Sequence, residues 1–272
     1  MEHKTIENNG NTVHYYLSGK ESRETIVFLH PAFGDHRCFD KQIDFFSRDY
    51  QVITLDMLGH GLTGVGKSKD KLTATVTHIA EILKVENKDK LHIIGVSVGA
   101  LLAQDFALKY PEKILSLTAL GGYNINKEQK EIAKAQGKEV CKWLFKMIFS
   151  MDAFRRYVGK VSAINPAEQI RFYESAKHFS RRSFSVMSGL NKLITNRNVQ
   201  RSFPLLILAG EKDNVSAIKA AKQWYKSEPT NSKFFIIKNA GHCANMDNAE
   251  EFNDIVQSYI AGKTINSNSK NQ

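Results

Sequence analysis

The residues best suited to chemistry are a serine, an aspartate and a histidine, each of which follows an apolar segment. Ser97 is the central residue of the pentapeptide GVSVG (95–99), which comes directly after the apolar run LHIIGV. A serine hydroxyl is a weak nucleophile, so it needs a neighbouring base and a group that orients that base. The pattern therefore predicts attack on an acyl carbonyl, with Ser97 as nucleophile, His242 as general base and Asp213 as the orienting acid.

The elements that position these residues are short apolar runs separated by segments of helix length. The runs are TIVFLH (25–30), QVITLD (51–56), LHIIGV (91–96), ILSLTAL (114–120), LLILAG (205–210) and KFFIIK (233–238). Helix-length segments lie at 72–86, 98–109 and 215–227, and a final helix is predicted at 247–261. Nearly continuous apolar runs are typical of strands buried on both faces of a sheet. Their alternation with helices predicts an α/β fold with a mostly parallel, doubly wound sheet. Residues 3–18 predict an additional antiparallel hairpin around an Asn-Asn-Gly-Asn turn.

The three chemical residues all lie beyond the carboxyl ends of predicted parallel strands. Sites of open α/β sheets form at that edge. The chain order Ser97, Asp213, His242 is the one expected when the serine occupies a sharp strand-to-helix turn. Taken singly, Ser97 could be an ordinary helix-start serine, Asp213 a turn or helix-cap residue, and His242 a loop histidine bonded to backbone. Their order after the right strands favours the catalytic interpretation.

Residues 124–200 interrupt the alternation of strands and helices. This segment has only helical patterning, and its 15 Lys and Arg against 6 Asp and Glu give it +9 of the net charge of +10. We predict a helical cap insertion at 124–200 in a core made of 1–123 and 201–262, followed by a disordered tail at 263–272. The basic surface is either simply solvated or in contact with an anionic substrate or lipid. No nucleic-acid-binding motif accompanies it, so we expect no nucleic acid partner.

Five apolar residues of the insertion are candidates for an acyl pocket. They are Phe145, Met147, Phe149, Met151 and Phe154. Packing of the insertion onto the core explains the same residues equally well. The sequence leaves both interpretations open.

Five landmarks in order make the chain resemble the α/β-hydrolase superfamily. They are His30–Asp35, Asp56–Gly61, Gly95–Gly99, Gly210–Asp213 and Gly241-His242. The resemblance spans about residues 3–262 apart from the insertion, and it implies the α/β-hydrolase fold. It also implies an oxyanion hole made of the backbone N–H groups of Ala32 and Val98, with Phe33 in place of Ala32 if the register of the loop is shifted by one. The family usually has His-Gly where this chain has His30-Pro31. Proline lacks an N–H but leaves the amide of Ala32 in place.

The resemblance implies a serine hydrolase, similar to carboxylesterases, that needs no metal or organic cofactor. A serine at the turn, where dehalogenases and epoxide hydrolases of the superfamily use aspartate, points to an acyl substrate. We expect a small or medium, apolar ester or thioester that is cleaved through an acyl-enzyme. Hydrolysis of a C–C bond, lyase or perhydrolase chemistry with the same triad, and a non-catalytic ligand-binding protein remain alternatives.

The composition indicates the compartment of the protein and the kind of partner that it has. No stretch approaches the roughly 20 apolar residues of a membrane helix, and the N-terminus lacks the apolar core of a signal peptide. The three cysteines are widely separated, which predicts neither a disulfide framework nor a zinc site. We therefore expect a cytoplasmic monomer or homodimer that acts on a small-molecule substrate without stable membrane insertion.

Overall fold

Within the described residues, one sheet of eight strands carries helices on both faces. The computed structural model describes residues 1–66, 68–128, 130–228 and 231–263, without the side chains of 130–136 and 138. The strands are β1 (Glu2–Asn8), β2 (Asn11–Ser18), β3 (Thr25–Leu29), β4 (Gln51–Leu55), β5 (Leu91–Val96), β6 (Ile114–Leu120), β7 (Leu205–Gly210) and β8 (Ser232–Ile237). The helices are α1 (Asp40–Phe46), α2 (Thr75–Val85), α3 (Val98–Lys109), α4 (Lys130–Phe149), α5 (Met151–Ser162), α6 (Pro166–Ser175), α7 (Val215–Ser227), α8 (Ala244–Asp247) and α9 (Ala249–Ile260).

The strand order is β1-β2-β4-β3-β5-β6-β7-β8. The six strands β3 to β8 are all parallel to one another. The hairpin is antiparallel, because β1 pairs with β2, and β2 with β4, in opposite directions. Asn9 and Gly10 connect β1 to β2 with φ angles of 50° and 75°, as a tight hairpin turn requires. The predicted fold class, a mostly parallel doubly wound sheet with an N-terminal antiparallel hairpin, is confirmed.

The continuous apolar runs reflect burial of both faces of the sheet. Val27 and Leu29 point into one core, which also contains residues of α2, α3 and α7. Ile26 and Phe28 point into the opposite core, shared with α1 and α9. Successive side chains of a strand alternate between faces, so both sets must be apolar when helices cover both sides. The parallel strands therefore direct their carboxyl ends, and the residues that follow them, to one edge.

The segment between β6 and β7 forms helices α4, α5 and α6 and three short 3-10 helices (176–178, 183–187 and 190–193). Its division from the core at residues 124 and 200 stays a prediction, and all of the predicted tail except Lys263 lies outside the described residues. Among the described helices, none is long and apolar enough to cross a membrane.

The predicted final helix at 247–261 corresponds to α9, which starts at Ala249 after a break at Asn248, and the separate short helix α8 ends before that break. Asn248 lies between the two helices with φ and ψ angles of −133° and 71°, and its side chain accepts a hydrogen bond from the amide of Glu251 at 3.3 Å. This bond caps the start of α9. The carboxylate of Asp247 turns away to accept the amide of Gly241 at 2.8 Å. The break thus ties the end of α8 to the loop after β8.

Asp56, directly after β4, stabilises two loops through hydrogen bonds, one at His36 and one at Leu62. Its fully buried carboxylate accepts hydrogen bonds from the amide and ring of His36, at 3.0 and 2.8 Å, and from the amide of Leu62 at 2.8 Å. Burial alone would raise the pKa of Asp56, but the hydrogen bonds and the His36 ring outweigh it and lower the pKa from 3.8 to about 2. The ionised carboxylate is therefore the stable form in the folded protein.

Asp56→Asn is expected to lower the free energy of unfolding at pH 7 by about 2 kcal/mol, because each unit of pKa shift is worth about 1.4 kcal/mol. A depressed carboxylate pKa stabilises the fold above pH 3.8, and the gain is lost as the pH falls towards 2. Urea unfolding at neutral and acidic pH measures both effects. Asp44→Asn, at an exposed position on α1, is the control and should change stability by less than about 0.5 kcal/mol. Equal stabilities of Asp56→Asn and wild type at pH 7 would contradict this account.

Candidate active site

Ser97 lies at a sharp turn between β5 and α3. Its φ and ψ angles are 56° and −117°, a conformation that costs a non-glycine residue about 1–3 kcal/mol. The amide of Ser97 donates to the carbonyl of Leu120 on the adjacent strand β6 at 2.8 Å, and its carbonyl accepts from Ala100 at 2.9 Å. The turn holds the hydroxyl out from the edge of the sheet at the N-terminus of a helix.

The two glycines of the pentapeptide are required by close backbone contacts. A Cβ placed on Gly95 would lie 2.3 Å from the carbonyl oxygen of Gly99. A Cβ on Gly99 would lie 2.2 Å from the carbonyl oxygen of Leu29, at the end of β3. Both distances are far below van der Waals contact, so neither position accepts another residue without a backbone shift. The motif therefore has a steric reason in this fold.

Asp213 and His242 form a hydrogen-bonded pair in the loops after β7 and β8. The Nδ1 atom of His242 lies 2.9 Å from the Oδ2 atom of Asp213. The two loops are held together because the amide of Lys212 donates to the carbonyl of Ala240 at 2.8 Å. Gly210 lies so close that a Cβ there would be 2.0 Å from the carbonyl oxygen of Gly241. The neighbouring parallel strands thus bring together two residues that are far apart in sequence.

The pair sets the protonation of the histidine. Asp213 is 4% exposed and His242 27% exposed, so the carboxylate is shielded while the ring reaches solvent. Burial opposes the charged imidazolium, but the charge and hydrogen bond of Asp213 outweigh it and raise the pKa of His242 above 6.5. A proton on Nδ1 directed at the carboxylate leaves the lone pair of Nε2 free to accept a proton.

One cavity of about 790 Å³ brings Ser97 and the Asp213–His242 pair together, because all three line its wall. Gly121 follows β6 as Ser97 follows β5, and it lies beneath the imidazole. A Cβ on Gly121 would be 3.0 Å from the Cε1 atom of His242. Because Leu120 precedes Gly121, the hydrogen bond from Ser97 to Leu120 links the serine turn to the backbone that contacts the imidazole of His242.

The loop after β3 carries the predicted oxyanion donor and is held by a buried histidine. The ring of His30 binds the carbonyl of Pro31 through Nδ1 at 2.8 Å, and its Nε2 accepts the amide of Met57 at 3.0 Å. Burial lowers the pKa of His30 to about 4, which keeps the ring neutral as these two bonds require. Ala32 and Val98 line the cavity, and Val98 is the first residue of α3. First-turn amides of a helix have no partner within it, so that of Val98 is available to an anion.

Phe33 joins the same loop to the insertion. Its φ angle of 73° is unusual for a residue with a side chain, and its ring is almost fully buried. The ring meets those of Trp143, Phe154 and Phe179 edge-on, at centroid distances of 4.9, 5.1 and 5.0 Å. Edge-to-face pairs of this kind are each worth about 0.5–1.5 kcal/mol beyond burial. The loop that carries Ala32 is thus packed directly against α4, α5 and the segment after α6.

Most of the remaining cavity wall is apolar and comes from the insertion. The apolar lining residues from α3 and the insertion are Leu101, Val140, Trp143, Val158, Val161, Phe184, Met187, Leu190 and Ile194. The five residues singled out from sequence are not among the lining residues. Met147 and Phe154 are buried in the core, whereas Phe145 and Phe149 are exposed. Composition alone could not distinguish them, since the true lining residues have the same types and share helices with them.

A cluster of Asp35, His36 and Asp56 brings three groups that could bind a metal within 4.8 Å. The carboxylate of Asp35 accepts hydrogen bonds from the guanidinium of Arg37 through both oxygens. The carboxylate of Asp56 already accepts the bonds that stabilise its loops. These partners give the cluster a structural role, and its residues do not line the cavity.

Several known proteins match this chain over most of their own length, and solved structures share its fold. The 3-oxoadipate enol-lactonase 1 of Acinetobacter baylyi is 24% identical over 92% of this chain and 94% of its own. A 2-hydroxy-6-oxononadienedioate/2-hydroxy-6-oxononatrienedioate hydrolase of Paraburkholderia phymatum is 23% identical over 91% of this chain and 90% of its own. The structure of a thermophilic esterase from Thermogutta terrifontis aligns with a TM-score of 0.78 and 16% identity over 96% of this chain and 99% of that one.

The match to a family model covers most of the chain. Residues 20–249 match the model of the Hydrolase_4 family, described as serine aminopeptidase, S33. The matched region includes the loop after β3, the pentapeptide and both loops of the Asp213–His242 pair. The chain therefore belongs to the Hydrolase_4 family of α/β hydrolases.

Proposed function

We propose that the protein hydrolyses carboxylic esters or thioesters of small or medium, apolar acyl groups through an acyl-enzyme on Ser97. The observation that carries this proposal is the meeting of three groups in one cavity. Ser97 lies on a strained turn and lines the same cavity as Asp213 and His242. Within that pair, the Nδ1 atom of His242 lies 2.9 Å from the Oδ2 atom of Asp213. A nucleophile, a base and a group that orients the base are the parts that acyl transfer requires.

In the first half of the reaction, the Oγ atom of Ser97 attacks the acyl carbon while Nε2 of His242 takes its proton. The amides of Ala32 and Val98 stabilise the negative oxygen of the tetrahedral intermediate, and Asp213 stabilises the imidazolium. The proton then passes to the departing alcohol or thiol, and the acyl group stays on Ser97. Preorganised donors of this kind contribute about 3 kcal/mol each to the transition state.

In the second half, a water molecule takes the place of the leaving group. His242 removes its proton as the water oxygen attacks the acyl carbon of the ester on Ser97. The same two amides stabilise the second tetrahedral intermediate. Return of the proton to Ser97 releases the carboxylic acid and restores the starting state.

The cavity wall supports an apolar acyl group. Its volume of about 790 Å³ lies within the range of about 300–1,000 Å³ of small-molecule sites. Among the described lining residues, Lys142 is the only lysine or arginine, and its ammonium is paired with Glu139 at 2.6 Å. An uncharged acyl chain finds contacts there without having to displace this ion pair.

A fluorophosphonate probe tests the proposed nucleophile, and a series of acyl esters and thioesters of graded chain length tests the substrate class. We expect the probe to add to Ser97 and activity to rise with chain length until the apolar wall is filled. Ser162→Ala, which removes a hydroxyl from the same wall, is the matched control and should stay labelled. Labelling at another residue, or no turnover of any ester or thioester, would refute the proposal.

A second candidate is hydrolysis of a C–C bond next to a ketone, which the P. phymatum relative suggests by the oxodienedioate in its name. A dienedioate carries two carboxylates, and unpaired cations in the cavity would favour its binding. The pairing of Lys142 with Glu139 favours the uncharged ester instead. Turnover of a vinylogous diketone faster than of any ester would reverse this preference.

A further inference from the structure

Helix α4 exposes an apolar patch formed by Leu144, Phe145, Ile148 and Phe149. These side chains are 41%, 65%, 70% and 72% exposed. Their spacing of three and four residues puts them on one face of the helix, and the rings of Phe145 and Phe149 lie 4.7 Å apart. Isolated exposed apolar residues are ordinary, but four on one helix face, two of them phenylalanines, mark an interaction surface.

The patch lies on a different face of α4 from the residues that line the cavity. Val140 and Trp143 of the same helix are part of the cavity wall, while the patch residues are not. Val161 of α5, which also lines the cavity, is 48% exposed. The cavity wall and the patch are therefore formed by different side chains of α4.

Cations flank the patch. Lys142 and Lys146 precede Phe145 and Phe149 by three residues, so each is a neighbour of one of the phenylalanines on the helix surface. The ammonium of Lys146 lies 4.8 Å from the centroid of the Tyr157 ring on α5. Arg181 binds the carbonyls of Met147 and Ile148 at 2.9 and 3.4 Å, which places its guanidinium at the C-terminal end of α4. Lys142 is paired with Glu139, but no described carboxylate forms an ion pair with Lys146 or Arg181.

The net charge of the whole insertion indicates which kind of partner can cover the patch. Residues 124–200 carry 15 Lys and Arg against 6 Asp and Glu. A second copy of this chain would bring two such surfaces together with like charges facing each other. An anionic surface would instead neutralise them while covering the apolar side chains.

We propose that the protein docks through this patch onto the surface of an anionic phospholipid bilayer. The phenylalanine and isoleucine side chains enter the boundary between headgroups and acyl chains, and the flanking cations lie at the level of the phosphates. This is how amphipathic helices bind in the plane of a membrane without spanning it. The proposal rests on α4 and its charges and does not depend on the reaction proposed for Ser97.

Co-sedimentation with vesicles tests the proposal in the full chain carrying Ser97→Ala, so that no lipid can be hydrolysed. We expect binding at low salt to vesicles of phosphatidylcholine mixed with phosphatidylglycerol, weaker binding to phosphatidylcholine alone, and release by salt. Phe145→Ser combined with Phe149→Ser should lower the partition coefficient by at least about tenfold, because each ring loses its apolar contact.

Ile170→Ser is the matched control, since Ile170 is 63% exposed but lies on α6. It should bind vesicles like the parent, and circular dichroism with thermal melting checks that all variants fold. Absence of binding at low salt, or equal binding by the double variant and the parent, would overturn the proposal. A dimer in gel filtration that the double variant converts to monomer would also overturn it, because a second copy would then cover the patch.

Discussion

Replacing Ser97 by alanine is expected to lower kcat for an acyl ester by about 10⁶-fold, because the covalent route is lost as a whole. The residual rate should still exceed that in water by about 10³–10⁴-fold, since binding and the oxyanion donors remain. Rates with a fluorogenic ester, at enzyme concentrations high enough to detect slow turnover, measure the loss. Mass spectrometry of wild type stopped during turnover should also show the acyl group on the peptide that contains Ser97.

A smaller effect would show that another group carries the reaction. If Ser97→Ala retained more than about a hundredth of kcat, nucleophilic catalysis by this residue would be excluded. A variant that is inactive because it has unfolded is recognised by its circular dichroism. The alanine side chain is smaller than serine at a position that is partly exposed, so we expect the fold to be retained.

Asp213→Asn is expected to lower kcat by about 10⁴-fold, because an amide in place of the carboxylate favours the wrong histidine tautomer. It should also move the pH dependence. His242 must be neutral to act as a base, so kcat/KM of the wild type should fall as the pH drops through a value above 6.5. Removal of the Asp213 charge leaves burial as the main influence on this ring, and burial lowers the pKa of His242.

The pH profile of kcat/KM for both proteins therefore decides the role of Asp213. The acidic limb should lie at lower pH in Asp213→Asn than in wild type. Glu211→Gln is the matched control, because it removes a carboxylate from the same loop whose partner is the amide of Asn239. In Glu211→Gln, the acidic limb of the kcat/KM profile should lie at the same pH as in the wild type. A limb that stays in place in Asp213→Asn would contradict the proposed ion pair.

The sheet was predicted correctly from the sequence, because strand burial and strand–helix alternation follow local rules. Gly95 and Gly99 are required by steric contacts that occur wherever a strand turns this sharply into a helix. Ser97, Asp213 and His242 could be predicted to lie at the same edge of the sheet, because each follows a parallel strand and parallel strands direct their carboxyl ends to one edge. The catalytic roles themselves stay predictions that the experiments above address.

The faces of the insertion could not be predicted in the same way. Helix α4 carries apolar side chains towards the cavity at Trp143, towards the core at Met147 and towards solvent at Phe145. Hydrophobicity and helical spacing do not distinguish these three directions, which are set by contacts with distant elements. The left-handed backbone of Phe33 was equally hidden, because no residue type in the loop signals it.

The contact between Phe33 and the aromatic residues of the insertion has a consequence for protein engineering. Exchange of residues 124–200 for the corresponding segment of a relative is an obvious route to a new specificity. In this protein such a graft would also remove Trp143, Phe154 and Phe179, the three rings that hold Phe33. A chimera that conserves those aromatic positions should keep its turnover rate, and one that omits them should lose rate even on substrates that it binds well.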